Sequence, residues 1–166
     1  MQKAWTYQTE LGELTLAENG EALTRLSFGG GLPQGAAREE TPLLQKAHGQ
    51  LTEYLAGERR RFELPLAPGG TPFEQAVWAQ LLKIPYGETC TYGGIAARLG
   101  RPGASRAVGM ANHRNPIGII IPCHRVVGAN GSLTGYAGGI EKKVKLLEHE
   151  GVDLQKFFIP QKGTAL

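Results

Sequence analysis

The run Ala67-Pro68-Gly69-Gly70-Thr71-Pro72-Phe73-Glu74 constrains the fold more than any other stretch of this chain. A proline and two adjacent glycines interrupt helix and strand alike, so they mark a boundary. Directly after them, threonine and glutamate stand three apart with proline between, the pattern of a helix capping box with proline in the first turn. Before the break the apolar residues mostly alternate, and after it they recur at helical spacing. Such a chain is expected to be α+β, with a strand-rich domain over residues 1–70 and a mostly helical one over 71–166.

In the first part, residues 4–8 alternate, 14–16 follow, and Asn19-Gly20 is a hairpin turn signal before a third strand at 23–28. Gly29-Gly30-Gly31-Leu32-Pro33 ends that pattern. Thr41-Pro42 opens a helix whose apolar face is Leu44, Ala47, Leu51, Tyr54 and Leu55. Arg59-Arg60-Arg61 reads as a solvated linker to a short strand at 62–66.

In the second part, Phe73, Val77, Trp78, Leu81 and Leu82 face one side of a helix that ends at Pro85-Tyr86-Gly87, with Trp78 expected in the core. Thr91 caps a short helix through Leu99, Gly100-Arg101-Pro102-Gly103 is a turn, and a second short helix spans about 104–112. Helix, tight turn and helix form the helix-turn-helix pattern. Ala104, Ser105, Ala107, Gly109 and Ala111 are small, and Arg106 is the long cation among them. A helix of small residues fits a widened DNA minor groove where a bulkier one does not, although small residues equally permit close packing on another helix. A buried strand is expected at 118–121, a turn at 128–131, and a small wing at 132–136. An amphipathic helix at 140–150 closes at Gly151, and Phe157-Phe158-Ile159-Pro160 should dock on the core.

Chemistry concentrates in Ile119-Ile120-Ile121-Pro122-Cys123-His124-Arg125-Val126-Val127. A thiol is a strong nucleophile only as thiolate, which nearby cations or proton acceptors favour. On an extended backbone adjacent side chains point apart. Proton transfer from Cys123 to His124 therefore needs a bend, which Pro122 makes plausible, or an intervening water. Cys90 is the one other cysteine, and a chain without a basic-then-apolar leader is expected to be cytoplasmic with both thiols reduced. The four histidines show no metal-ligand spacing, and no apolar run is long enough to cross a membrane. Residues 1–70 carry seven Lys/Arg against nine Asp/Glu, whereas residues 71–166 carry eleven against six. The basic half holds Cys123, which points to a polyanionic partner.

Pro122-Cys123-His124-Arg125-Val126 resembles the active-site motif of the O6-alkylguanine-DNA alkyltransferases. Pro85-Tyr86-Gly87-Glu88, Tyr92, the run from Ser105 to Gly109, Asn115-Pro116, Gly135-Tyr136-Ala137-Gly138-Gly139 and the run from Leu146 to Gly151 follow in that family's order and approximate spacing. The likeness is strong over about residues 71–151 and looser before them. It implies a small ribonuclease H-like antiparallel sheet with a helix, followed by a mostly helical, winged helix-turn-helix-like catalytic domain. It implies single-use transfer of the alkyl group from O6-methylguanine in double-stranded DNA, and from O4-methylthymine, to Cys123 after nucleotide flipping. No cofactor or metal is implied, and the protein would act as a monomer.

The same resemblance implies the residue roles. His124 would take the Cys123 proton through a water, Glu150 would orient His124, and Tyr92 would give a proton to the leaving guanine. Asn115 would hold the active-site turn. The Cys123 and Val126 carbonyls would accept from the guanine amino group, Tyr136 would pack on the flipped base, and the Ala137 amide would face O6. Arg106 would fill the gap in the base stack, with Ala104, Ser105, Ala107, Gly109 and Arg125 also facing DNA. Gly93, Ala129 and Glu74 depart from residues common at phosphate contacts in eukaryotic members. Two other readings account for parts of the sequence: a helix-turn-helix regulator without chemistry, and a cysteine hydrolase with turnover.

Overall fold

The computed structural model describes residues 2–160. They divide into two compact units, one running to Gly69 and completed by Pro116–Ile120, the other made of Gly70–Asn115 and the chain from Ile121 onward.

In the first unit, β1 (Lys3–Thr9), β2 (Gly12–Glu18) and β3 (Leu23–Phe28) form an antiparallel meander, and a two-residue strand, β4 (Ala37–Arg38), runs parallel to β1. The sheet order is β3-β2-β1-β4. The Asn19-Gly20 signal does mark the β2–β3 connection. The Asn19 side-chain oxygen accepts from the Glu21 and Ala22 amides at 3.0 Å each, and Gly20 takes the left-handed conformation at φ 102°. Helix α1 (Pro42–Leu55) is capped by Thr41, whose hydroxyl accepts from the Leu44 amide at 3.2 Å. It buries Leu44, Ala47, Leu51 and Tyr54 and packs on β1 and β2.

Two expected strands are not strands. Residues 62–66 contribute a single bridge, Leu66 to Leu23, because Arg59 is tied to Glu53 at 2.8 Å and Gln50 brackets the Glu63 backbone, fixing a loop. Residues 118–121 turn instead of extending. The Ile120 amide donates to the Gly118 carbonyl at 2.7 Å, closing a γ-turn around Ile119, which has φ 68°. A β-branched residue there is a genuine backbone outlier. Burial of all three isoleucines, at 5% exposure or less, holds the turn in place.

In the second unit, α2 (Pro72–Leu81) starts with the expected capping box: Glu74 N donates to the Thr71 hydroxyl at 3.1 Å and the Glu74 carboxylate accepts from Thr71 N at 2.9 Å. Trp78 is core, and its indole N–H donates to the Ala111 carbonyl at 2.8 Å. A short strand β5 (Cys90–Thr91) leads into α3 (Tyr92–Arg98), capped by the Thr91 hydroxyl. A turn with Gly100 at φ 72° leads to α4 (Ser105–His113), and α4 packs on α2 and α3. Beyond a 3-10 turn, Cys123–Arg125, strand β6 (Val126–Val127) pairs parallel with β5. Helix α5 (Ile140–His149) follows. The wing is not a hairpin. Leu133 N donates to the Phe158 carbonyl at 2.8 Å and Phe158 N to the Gly131 carbonyl at 3.0 Å, so this segment pairs with the tail through a single parallel bridge. Phe157 packs with Val127, Leu133 and Leu147, whereas Phe158 and Ile159 are exposed.

Candidate active site

Cys123 enters from a second bend. Pro122 sits at φ −80°, ψ 65°, and the Cys123 amide donates to the Ile121 carbonyl at 2.7 Å, an inverse γ-turn. Asn115 fixes it, donating its side-chain amide to that same Ile121 carbonyl at 2.8 Å. Asn112 reaches the Cys123 carbonyl at 3.4 Å. The thiol is buried, and burial pushes its pKa up; a hydrogen bond with Asn115 and the positive charge of Lys143 partly offset this. The resting group is therefore a thiol, and the adjacent residues alone do not make it a thiolate.

His124 is fully buried, with Nε2 2.8 Å from the Glu150 carboxylate. Burial lowers its pKa despite that carboxylate, so the imidazole is neutral near pH 7. Nδ1 is buried with no protein partner, which makes it the nitrogen available to receive a proton. The Tyr136 ring meets the imidazole edge to face at 6.4 Å. Burial alone would raise the Glu150 pKa, but hydrogen bonds and charge from His124 and Arg125 outweigh it and hold the carboxyl well below the usual carboxylate range.

Arg125 is a correction. Expected at the DNA surface, it is buried, with Nε and an Nη 2.8 and 2.9 Å from the two Glu150 oxygens and the other Nη donating to the Ile84 carbonyl at 2.6 Å. The fork of a guanidinium matches a carboxylate in this way, and the desolvated Glu150 demands it. Gly109 is a second correction. It lies on the inward face of α4 beside Val108 and Ala111, while Arg106 and Ala107 are exposed and Ala104 and Ser105 are half-buried.

Tyr92, at the first position of α3, is buried with its hydroxyl 3.3 Å from the Thr134 hydroxyl, and burial raises its pKa, so it holds its proton. Ala137 is exposed in the glycine-rich loop before α5. Lys143 joins the site without belonging to any sequence motif. It is fully buried, and its ammonium donates to the carbonyls of Val126 at 2.6 Å and Thr134 at 2.7 Å. Burial lowers its pKa to about 8, and the neighbouring Cys123 opposes that shift. The signal was there: on α5, position 143 shares a face with Leu146, Leu147 and Glu150. Among the described residues no group of three His, Cys, Asp or Glu could hold a metal ion.

One turn thus brings together a thiol, a neutral imidazole backed by a carboxylate, a protonated phenol and a buried ammonium, the parts for a thiol displacement with acid assistance. Residues 72–152 match the family described as 6-O-methylguanine DNA methyltransferase, DNA binding domain, and residues 4–68 match its ribonuclease-like domain. The chain belongs to the 6-O-methylguanine DNA methyltransferase family. It is 49% identical to the methylated-DNA–protein-cysteine methyltransferase of Methanosarcina acetivorans, over 87% of this chain and 96% of that protein. It is 48% identical to the constitutive enzyme of that name from Bacillus subtilis, over 91% and 96%. The crystal structure of Mycobacterium tuberculosis OGT in complex with DNA superposes with a TM-score of 0.84 at 46% identity, over 93% of this chain and 94% of that one. The family's fold, a small sheet unit and a mostly helical unit, is the one found here.

Proposed function

We infer that this protein repairs DNA by moving the methyl group of O6-methylguanine in a duplex onto Cys123, once per molecule. The observation that carries this reading is the buried Cys123 thiol, seated on a γ-turn beside a neutral His124 whose Nε2 is held by Glu150. Membership of the family and the names of its relatives support it.

In this reading the 1–70 region supports and the 71–166 region does the chemistry. Helix α4 enters the minor groove and Arg106 fills the place of the flipped nucleotide. A water between sulfur and Nδ1 of His124 relays the thiol proton, and Lys143 stabilises the thiolate. Sulfur attacks the methyl carbon, the carbon–O6 bond breaks, and its electron pair passes into the guanine ring, where the Tyr92 hydroxyl supplies a proton. The Val126 carbonyl keeps a second lone pair for the guanine amino group while accepting from Lys143. Asn115 holds the turn, and Tyr136 and the Ala137 amide line the base. The thioether product has no hydrolytic route, so each molecule is spent. O4-methylthymine is a second substrate in this reading. Two free cysteines fit a reducing, cytoplasmic location.

The test is intact-protein mass after incubation with a duplex carrying one O6-methylguanine, with peptide mapping. One added methylene, confined to Cys123 and saturating at one per protein, is the expected result. No mass gain with the duplex still bound would instead fit a lesion binder, and repeated product release would fit a hydrolase.

A further inference from the structure

Helix α4 presents one exposed face, formed by Arg106, Ala107, Met110, His113 and Arg114. These positions follow helical spacing, so they form one continuous stripe. Met110 is the exception to its chemistry. At 55% exposure it is among the largest apolar groups left on the surface of the described residues, and it sits in the middle of a cationic stripe. It lies one turn beyond Arg106 on the same face, about 6 Å along the axis. Its buried neighbours Val108, Ala111 and Asn112 face the other way, so Met110 serves no core. The flanking cations Arg106 and Arg114 select a polyanion, with Arg114 engaged only by a long surface contact to Glu74 at 3.5 Å.

We propose that Met110 is an apolar wedge against the duplex, acting about two base steps from the one that Arg106 occupies. This rests on the reading that α4 enters the minor groove of damaged DNA. Methionine is one of the few side chains suited to entering between base pairs from that groove, because it is long, unbranched and polarisable. A 6 Å offset corresponds to about two base-pair rises at 3.4 Å each, so both side chains act within one opened site. The role is to lower the cost of unstacking before the nucleotide swings out. Met110 touches no reacting atom and should leave the transfer step itself unchanged.

The experiment compares Met110→Ala and Met110→Leu with the unaltered protein in single-turnover transfer from three substrates. These are a duplex with O6-methylguanine opposite cytosine, the same lesion opposite an abasic site, and free O6-methylguanine base. Met110→Ala should be roughly tenfold slower on the paired duplex, as expected from losing methylene-sized contacts, with Met110→Leu close to normal. The deficit should shrink opposite the abasic site and vanish with the free base. Equal rates on the paired duplex would overturn the wedge while leaving the repair function intact. An equal slowing on all three substrates would overturn it too, since that marks a distorted active site. Absence of transfer by the unaltered protein would instead remove the repair reading beneath it.

Discussion

Lys143 donates its buried ammonium to the carbonyl of Val126 at 2.6 Å, which sets a positive charge behind the turn that carries Cys123. Lys143→Met keeps the length and loses the charge. Transfer at pH 7 should slow about 10- to 100-fold, the worth of a charge-assisted hydrogen bond. The pH profile separates this from simple misfolding. In the unaltered protein the rate should rise as His124 loses its proton, below pH 6.5, and fall as Lys143 loses its own near pH 8. Lys143→Met should lack the fall near pH 8. Stability runs the other way. The folded pKa of Lys143 is depressed, so its charged form is a burden below about pH 8, relieved as pH rises towards the unfolded value of about 10.4. Urea midpoints should therefore gain over that window in the unaltered protein and not in Lys143→Met.

Glu150 serves two partners, so Glu150→Gln should damage both stability and transfer. Removing the carboxylate strands the buried Arg125 guanidinium, a loss of about 3–5 kcal/mol. Because the folded pKa of Glu150 is depressed, its stabilisation is complete above the unfolded value of about 4.3 and is lost as pH falls through the lower folded one. Acid titration by circular dichroism should show that limb in the unaltered protein and a flatter one in Glu150→Gln.

Arg125 and Arg106 should differ in the salt dependence of DNA binding. Arg106→Ala should reduce the slope of log K against log salt by up to about one, because it removes one cation from the groove. Arg125→Lys should leave that slope alone and lower the melting temperature, since a lysine cannot make the paired contacts to Glu150 at 2.8 and 2.9 Å. A reduced slope for Arg125→Lys would return it to the DNA surface.

Tyr92→Phe should slow transfer by roughly 100-fold, the usual scale for a lost general acid. Its hydroxyl makes a 3.3 Å contact to the buried Thr134 hydroxyl, so stability should fall by about 1–3 kcal/mol, the cost of leaving that group unpaired. Transfer at the normal rate would mean that another group protonates the leaving base.

Local rules carried much of the fold into the sequence. Thr41, Thr71 and Thr91 each stand before a helix and each caps it, and Trp78 packs where its spacing places it. The misreadings arise where a local pattern has two solutions. Three isoleucines in a row fit a buried strand and a buried turn equally, and Ile119 takes the turn. Strand β4 is two residues long amid glycine and proline, too short for any period to show. In the site, Arg125 follows Cys123 in sequence, yet its fork is claimed by Glu150, twenty-five residues away. The charge that reaches the sulfur comes from Lys143, hidden in a Lys-Lys pair that resembles a solvated surface. Adjacency in sequence names the nucleophile and says little about which cation faces it.

The segment Pro116–Ile120 belongs to the first unit although it is made long after the rest of that unit. Leu26 N donates to the Pro116 carbonyl at 2.9 Å and Gly118 N to the Leu26 carbonyl at 3.1 Å, so these residues close the outer edge of β3. During synthesis the part of that edge around Leu26 stays open for several seconds at ordinary ribosomal rates, its Leu23 end being bridged already by Leu66. Bare strand edges invite pairing with other chains. Cys123 leaves the ribosome only three residues after the segment that seals this edge, so the nucleophile and the last piece of the first unit are born together. A nascent chain stalled before residue 116 should be captured by holdase chaperones, and one stalled with residue 120 fully emerged should be released.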